Sequence, residues 1–407
     1  MATRVLFLTH EPPLPLVSGA RIRSYHLMRE LARHGCAVSL FALMPDGTPP
    51  AEARAQLDAL CERVELRPFA PSVLARRARL LADYALGRPF ERRYFYDRDA
   101  ARALDALLGE LRPDVIVVGQ LYMEAYLPPS LEAATIFDSH NVEARRVATM
   151  TRAGGLRAAM ARRQVRPVAA HEAEAVGRMG RTWAVSEEEQ EHFEPLAPGR
   201  VDLVPNGVDC ELLPLRAAQP AGSEVLFLGR MDYGPNVDGV RHLLEDVVPH
   251  LRRRDAVVRV VGANPPPLVA RWAESADLEV EVTGFVESTT PYLDSARLLA
   301  VSLRSGGGTR LKILEALARG VPVVTTTLGC EGQGLVDGHD ALIADDPAQF
   351  AAAIDRLLED DELCATLARN GRATVEERFD WRSIGNAAQE SLQRLLAATA
   401  AAPAARG

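Results

Sequence analysis

The chain has 407 residues, too many for a single ordinary hydrophobic core, and this length predicts two domains of roughly 200 residues each. Hydrophobic residues make up 47% of the sequence, charged residues make up 25%, and no stretch reaches the roughly 18 apolar residues that a membrane span requires. The net charge of −8 speaks against a nucleic-acid-binding protein, because such proteins are usually basic. The five cysteines are scattered without metal-ligand spacing and the N-terminus lacks a signal-peptide pattern, so we expect a cytoplasmic protein.

Short apolar runs alternate with helical patterns in the first half of the chain. Strands are predicted at residues 4–10, 37–43, 114–119, 134–141 and 181–186. Helices are predicted over residues 22–33, in several pieces over 72–110, and as one long helix over 142–178. Strands that alternate with helices in this way indicate a parallel α/β sheet.

The same alternation starts again in the second half. Strands are predicted at residues 224–230, 257–262, 278–286, 297–303 and 321–327, with a helix between most of them. Proline and glycine concentrate at residues 195–221, so we place an N-terminal domain at residues 1–200 and a second domain at residues 201–378. Residues 379–407 are expected to form a last helix, which returns to the N-terminal domain, and an Ala-rich tail. The predicted fold class is α/β, with two doubly wound domains.

Polar residues and glycines follow the predicted strands and are the candidate ligand contacts. In open α/β sheets, ligands bind beyond the carboxyl ends of the strands. The residues concerned are His10 to Gly19, Gln120, Asp138 to Asn141, Gly229 to Asn236, Gly262 to Asn264, Gly284 to Phe285, and Ser302 to Arg310. Two such sheet edges that face each other would form an interdomain cleft.

Two common nucleotide-binding signatures are absent from the sequence. No strand is followed by the dinucleotide fingerprint G-x-G-x-x-G. In the phosphate loop of nucleoside triphosphatases a lysine follows a glycine directly, whereas Lys312 follows Leu311. Both a hydride-transfer enzyme and a P-loop ATPase are therefore disfavoured.

The stretch "SGGGTRLKILEALARG", residues 305–320, has the composition of an anion-binding site. Its glycines allow the backbone to approach a ligand, and the helix that follows directs its dipole to the same place. Arg310 and Lys312, the only lysine in the chain, lie near the helix N-terminus, where a cation is unfavourable unless an anion neutralises it. The structural alternative is that Thr309 caps the helix and Glu315 pairs with Arg319.

Several motifs resemble the retaining family-4 glycosyltransferases of the GT-B fold. In the second half they are "VPNGVD", "VLFLGRMDYGPNVDGVRHLL", "VTGFVE" and "GGGTRLKILEALARGVPVVTTTLGCEG", and in the first half "LPLVSGARIRSYHLMRELARHG" and "FDSHNVEARR". The resemblance covers nearly the whole chain. It implies two facing Rossmann-like domains, a UDP- or GDP-sugar bound mainly by the second domain, and transfer to a glycan, lipid-linked or small-molecule acceptor with retention of configuration. It implies no cofactor, and we expect that no metal ion is required.

The resemblance also assigns roles in the donor site. The family carries two glutamates that are separated by seven residues. The second, which holds the ribose, falls on Glu315, whereas the first falls on Gly307. Arg230 matches the first member of the family's basic pair, but Asn236 stands where a lysine is usual. We therefore expect Lys312 or Arg310 to supply the missing charge. The other expected donor contacts are Gly19, Phe285, Gly308, Thr309 and Leu311.

A lone histidine at a strand end is more often structural, but His140 matches a family histidine that contacts the transferred sugar and lies beside Asp138 and Asn141, so we expect it to make that contact. Asn141, Arg21 and Arg23 are expected on the acceptor side, and for the two arginines a simple solvent-facing role stays open. Two alternative functions also remain. A degenerate partner subunit would fit the departures at Gly307 and Asn236, and a nucleotide-sugar 2-epimerase would need a carboxylate that Gly307 lacks.

Arginines cluster in two segments of the first half. They are Arg76, Arg77, Arg79, Arg88, Arg92 and Arg93, and then Arg152, Arg157, Arg162, Arg163 and Arg166. Such clusters suit peripheral contact with an anionic membrane face or with an anionic acceptor, and equally the solvated helix faces of an arginine-rich protein.

Overall fold

In the computed structural model, the chain divides into two compact units. The described residues are 2–45, 47–69, 72–128, 135–151, 155–306 and 308–401. The first unit comprises the residues up to Pro205 together with those from Ile384 onward, and the second comprises Asn206–Ser383. Each unit is built on one parallel sheet, so the prediction of two doubly wound α/β domains is confirmed.

The first unit contains a seven-stranded parallel sheet. Its strands are β1 (Arg4–Thr9), β2 (Ala37–Met44), β3 (Arg63–Pro68), β4 (Val115–Gly119), β5 (Thr135–Asp138), β6 (Arg181–Ala184) and β7 (Val201–Leu203). Their order is β3-β2-β1-β4-β5-β6-β7. Strand β1 pairs with both β2 and β4, so the strand order reverses there, which is where α/β sheets bind ligands.

Helices cover the sheet of the first unit. They are α1 (Gly19–Arg33), α2 (Ala51–Leu60), α3 (Val73–Ala85), α4 (Phe90–Tyr94), α5 (Arg98–Leu111), α6 (Glu143–Met150), α7 (Gly155–Arg178) and α8 (Glu187–Phe193). The central strands β1 and β4 are buried almost completely, because a parallel sheet is covered on both faces. That double burial explains why these strands read as continuous apolar runs in the sequence.

The second unit contains a six-stranded parallel sheet. Its strands are β8 (Glu224–Leu228), β9 (Val257–Val261), β10 (Glu279–Gly284), β11 (Leu298–Val301), β12 (Val323–Thr325) and β13 (Leu342–Ile343). Their order is β10-β9-β8-β11-β12-β13, so the reversal lies between β8 and β11. The chain segments that leave these two strands therefore define the expected ligand site.

The helices of the second unit are α9 (Gly234–Arg241), α10 (Pro267–Ser275), α11 (Thr290–Ser295), α12 (Leu311–Arg319), α13 (Pro347–Glu359) and α14 (Asp361–Arg378). Helix α12 buries an apolar face against the sheet and ends at Gly320, whose φ of 72° suits a left-handed C-cap. The final helix, α15 (Trp381–Ala401), belongs to the first unit from Ile384 onward, where Ser391 accepts a hydrogen bond from the indole N–H of Trp183 at 2.8 Å. No helix in the described part of the chain is long and apolar enough to cross a membrane.

Several local predictions differ from the structure. The long helix expected over residues 142–178 is wrong, because α6 and α7 are separate helices and Gly155, at the start of α7, has a φ of 79°. Helix α1 starts at Gly19 rather than at residue 22, since Ser18 caps it by accepting a hydrogen bond from the amide of Arg21. The edge strand β3 was not predicted, because it carries arginine and glutamate and is buried mainly at Val64.

Candidate functional site

The loop between β11 and α12 carries the glycine motif. Gly306 and Gly308 have φ angles of 108° and 82°, which only glycine adopts without strain. Gly307, where the first glutamate of the family motif is replaced, lies outside the described residues. Helix α12 begins at Leu311, with Arg310 as its N-cap.

Thr309 does not cap this helix, as the structural alternative required. Its hydroxyl oxygen accepts a hydrogen bond from the side-chain amide of Asn206 at 3.2 Å. The other half of that alternative also fails, because Arg319 pairs with Asp294, with Nε 2.9 Å from Oδ1.

Arg310 is a buried cation. Only 7% of the residue is exposed, and its guanidinium donates to the carbonyl oxygens of Gly308 and Leu328. Burial lowers the pKa of Arg310 below its ordinary value. Within the described ranges, no carboxylate lies at ion-pair distance from it, and its hydrogen bonds go to neutral carbonyl groups.

The Lys312 side chain reaches from α12 to the end of β8. Its ammonium donates to the carbonyl oxygen of Leu228 and to Oδ1 of Asn236, the latter at 3.0 Å, and lies 5.1 Å from the centre of the Phe227 ring. Burial, followed by the charge of Arg310, lowers the pKa of Lys312 to about 7. The ammonium is thus hydrogen-bonded to the residue that stands where the resemblance led us to expect a lysine.

A close backbone approach makes this arrangement possible. A Cβ atom at Gly229 would lie 2.7 Å from Cγ of Asn236, which is far too close. With glycine there, the amide of Asn236 packs against the end of β8 and donates to the carbonyl oxygen of Arg230 at 2.8 Å. Its oxygen is left to accept from Lys312.

Glu315 lies one helical turn after Lys312 and is half-buried. Burial raises the pKa of its carboxyl to about 7, although the charge of Lys312 opposes the shift. In the part of the chain that the structure describes, the carboxyl forms neither a hydrogen bond nor an ion pair. Its oxygens are therefore available to a ligand.

Arg230 and Phe285 lie at the carboxyl ends of β8 and β10. The Arg230 side chain is exposed and pairs with Asp232, with Nε 3.1 Å from Oδ1, and this hydrogen bond raises the pKa of Arg230. Phe285 is 76% exposed and follows Gly284, whose φ is 76°. An exposed aromatic ring at a strand end is available to stack on a flat ligand.

The first unit has a small, open cleft at its own strand reversal. It is lined by Thr9, His10, Glu11, Ala20, Arg21, Ser24, Gly119, Gln120 and His140. The cleft brings together two of the predicted site residues, Arg21 and His140, which follow the carboxyl ends of β1 and β5 on either side of β4.

A buried ion pair fixes His140. The imidazole Nε2 lies 3.3 Å from Oδ2 of Asp138. The other carboxylate oxygen of Asp138 accepts a hydrogen bond from Nε of Arg23 at 2.8 Å and lies 2.6 Å from Nη2 of the same guanidinium. Burial alone would raise the pKa of Asp138, but the charge of Arg23 and the hydrogen bond with His140 outweigh it and lower the pKa. Arg23 is almost completely buried and also donates to the carbonyl of Pro205, so it does not face solvent, and its guanidinium holds Asp138 in place.

Arg21 lines the cleft with its charge already balanced. Its Nε lies 2.6 Å from Oε2 of Glu11, whose other oxygen accepts from the hydroxyl of Ser18 at 3.2 Å. Gly19 is exposed as the first residue of α1, and a Cβ there would meet nothing within 4 Å. The carbonyl oxygen of Asn141 accepts from the hydroxyl of Ser139 at 3.1 Å.

Sequence reasoning placed His10 and Gln120 at strand ends but gave them no role, and Glu11 was missed as a partner of Arg21. Gln120 has a φ of 68°, unusual for a residue with a side chain, and its Oε1 accepts from the hydroxyl of Tyr122 at 2.6 Å. The only available signal was position after β1 and β4, because no motif marks these residues. Among the described residues, no cluster of three or more histidine, cysteine, aspartate or glutamate side chains could hold a metal ion.

Solved structures with the same architecture are GT-B glycosyltransferases. Sucrose-phosphate synthase from Thermosynechococcus elongatus superposes with a TM-score of 0.71 at 18% identity, over 97% of this chain and 100% of that one. Anabaena Alr3699/HepE in complex with UDP gives 0.69 at 16% identity, over 96% and 100%. WaaG, a glycosyltransferase involved in lipopolysaccharide biosynthesis, gives 0.62 at 18% identity, over 95% and 99%. The fold is therefore that of a GT-B glycosyltransferase, as the sequence predicted.

Family comparisons reach the same class from the sequence. Residues 17–212 match Glycosyltransferase Family 4, and residues 222–360 match Glycosyl transferases group 1. Glycogen synthase from Mycobacterium tuberculosis (strain H37Rv) is 25% identical over 417 residues, covering 94% of this chain and 93% of that protein. The D-inositol 3-phosphate glycosyltransferase of Paenarthrobacter aurescens is 25% identical over 238 residues, which is 47% of this chain and 51% of that protein. The chain belongs to glycosyltransferase family 4.

Proposed function

We propose that this glycosyltransferase transfers a sugar from a UDP- or GDP-sugar to the hydroxyl of a glycan, lipid-linked or small-molecule acceptor, with retention of configuration and without a metal ion. The observation that carries the proposal is the pair of cations at the start of α12, the buried Arg310 and the half-buried Lys312, neither of which forms an ion pair with a carboxylate in the described chain. A cation at a helix N-terminus is unfavourable by itself, and a bound diphosphate removes that cost. HepE has been solved in complex with UDP-glucose, which supports a nucleotide-sugar donor.

The proposed chemistry is stabilisation of a departing nucleoside diphosphate. The bond between the anomeric carbon and the donor phosphate oxygen breaks, and negative charge collects on the diphosphate. Fixed positive groups around that charge lower the barrier, because they need not reorganise during the step. The acceptor oxygen bonds to the anomeric carbon on the face that the diphosphate leaves, and the acceptor proton passes to the departing phosphate oxygen. The sugar therefore keeps its configuration.

Donor binding uses the other side chains of the second unit. Glu315 accepts hydrogen bonds from the ribose hydroxyls, for which its carboxyl is already free of other partners in the described structure. Phe285 contacts the base, and Arg230 exchanges Asp232 for a phosphate oxygen. This exchange replaces one exposed ion pair by another and costs little, because solvent screens exposed pairs.

In the first unit, we assign contact with the transferred sugar to His140. Its Nε2 points at Asp138, so the proton on that nitrogen is shared with the carboxylate, and the ring presents Nδ1 to a sugar hydroxyl. Arg21 and Glu11 form a neutral pair in the same cleft. We therefore expect this part of the cleft to favour an uncharged, hydroxyl-bearing acceptor group over a phosphate.

The test has two parts. A thermal-shift screen of nucleoside diphosphates identifies the base, since a ligand at 100 times its dissociation constant stabilises the fold by about 2.7 kcal/mol. Turnover is then measured in EDTA with the matching nucleotide sugars, and NMR of the product gives the anomeric configuration. Inversion, or a strict requirement for added Mg²⁺, would contradict the proposal.

The two alternatives predict different results in the same experiments. A degenerate partner subunit binds none of the nucleotides in a calorimetric titration. An epimerase converts the nucleotide sugar when no acceptor is present. Transfer to an acceptor, with an unchanged sugar, is expected only from the proposed reaction.

A further inference from the structure

Helix α3 exposes an apolar stripe. Leu74 and Leu81 are 79% and 63% exposed, and Leu86, the C-cap, is 60% exposed. Ala78 and Ala85 are exposed as well, so the outward positions recur at the three- and four-residue spacing of one helix face. A surface helix normally turns such a face toward the core.

The inward face of α3 is held mainly by polar and aromatic contacts. Asp83 is fully buried and pairs with Arg93, whose Nη1 lies 2.9 Å from Oδ1. The guanidinium of Arg76 lies over the ring of Phe69, 5.5 Å from its centre, and Tyr84 stacks on a neighbouring aromatic ring. These contacts fix which side of the helix faces out, so the fold holds the leucines on the solvent-exposed side.

Positive charge borders the leucines. Arg77 lies on the outward face of α3 and Arg88 follows the helix, and both are exposed. From residue 72 to residue 90 the only acidic side chain is the buried Asp83. We call Leu74, Arg77, Leu81, Leu86 and Arg88 the leucine–arginine face.

Further arginines stand close to this face. The amide of Phe90 donates to Oε1 of Gln164 on α7 at 3.3 Å, which brings the chain just after α3 against that turn of α7. The neighbouring side chains Arg162, Arg163 and Arg166 are exposed, and residues 155–171 contain no acidic residue. Of the second arginine cluster, Arg152 lies outside the described residues.

We propose that the leucine–arginine face docks on an anionic lipid bilayer. A helix lies in the interface plane when its leucines enter the boundary between headgroups and acyl chains while basic residues remain at the headgroups. Arginines near an anionic leaflet add electrostatic attraction that falls off within a Debye length. A second copy of the chain fits this face poorly, because the arginines beside the leucines of one copy would lie against those of the other. The inference stands independently of the proposed reaction.

The test is co-sedimentation of the full chain with vesicles of phosphatidylcholine alone or mixed with phosphatidylglycerol. We expect at least tenfold stronger binding to the anionic vesicles, with binding weakened by salt. The variant Leu74→Ser/Leu81→Ser should lose at least tenfold of this affinity. Its matched control is Leu212→Ser, since Leu212 is 69% exposed in the other unit, and this variant should bind like the wild type.

A second pair of variants separates charge from burial of the leucines. Arg77→Gln/Arg88→Gln should reduce binding to anionic vesicles and flatten its salt dependence, whereas Arg102→Gln, at an arginine whose side chain is 78% exposed on α5, should not. All variants should melt at the wild-type temperature and keep wild-type turnover with a soluble acceptor, so a failure of docking is distinct from a failure of the proposed reaction. The proposal is overturned if the wild type ignores anionic vesicles or if Leu74→Ser/Leu81→Ser binds them unchanged. A wild-type dimer that the same variant converts to a monomer in light scattering would instead assign the face to self-association.

Discussion

Lys312→Met is the most informative perturbation of the donor site. Methionine keeps most of the side-chain volume and removes the ammonium that bonds to Leu228 and Asn236. If this charge acts on the departing diphosphate, its loss should raise the barrier by about 2–4 kcal/mol, the range found for removal of one transition-state donor. That range corresponds to a loss of turnover of roughly 30- to 900-fold.

The fold should tolerate this change. In the folded chain the pKa of Lys312 is lowered from 10.5 to about 7, so the folded state favours the neutral amine. The stability that this group contributes is present above pH 10.5 and is lost as the pH falls through about 7. Relative to Lys312→Met, the wild type should therefore gain thermal stability as the pH rises from neutral, and at pH 7 the variant should melt no lower.

The assay is turnover of EDTA-treated enzyme at saturating donor. Asn236→Lys in the Lys312→Met background returns an ammonium to the neighbouring position and should recover at least tenfold of the lost turnover. The double variant Arg310→Ala/Lys312→Ala should lose more turnover than either single change. Wild-type turnover in Lys312→Met, with an unchanged melting temperature, would refute the assignment of this cation to the leaving group.

Four further predictions test the remaining parts of both units. Glu315→Ala should weaken nucleoside diphosphate binding by about 1–3 kcal/mol in calorimetry, since charge-assisted hydrogen bonds to ribose are lost, and unchanged affinity with an intact fold would contradict this role. His140→Ala should reduce turnover far more than nucleotide affinity, and equal losses in the two assays would point to damage to the fold. Binding of the diphosphate should weaken above pH 7, where Lys312 with its pKa of about 7 loses its proton, and Lys312→Met should lack this alkaline limb; an identical profile in both proteins would be the contrary result. Arg23→Met should lower the free energy of unfolding by about 3–5 kcal/mol in chemical denaturation, because the buried carboxylate of Asp138 loses its guanidinium partner, and Arg23→Met/Asp138→Asn should recover most of that loss.

Much of the architecture could be predicted from local sequence. The central strands are apolar runs because a parallel strand is buried on both faces, and this pattern needs no knowledge of neighbouring segments. The glycine loop and the helix after it were visible because they are contiguous, so Arg310, Lys312 and Glu315 could be placed in one site. The edge strand β3 was missed because, unlike the central strands, it is not buried on both faces, and its charged residues resemble those of a loop.

Tertiary structure alone decided which distant residues meet. Lys312 and Asn236 are 76 residues apart, and only the adjacent pairing of β8 and β11 brings the ammonium to the strand end that Asn236 covers. Arg23 was considered a ligand contact or a solvent-facing residue, but the fold buries it against Asp138, 115 residues away. The sequence by itself determined the periodicities and the contiguous motif, because these depend on the chain's local geometry. Which side chains pair, which are buried and how their pKa values shift depend on which strands lie side by side. The packing of the whole sheet decides that arrangement.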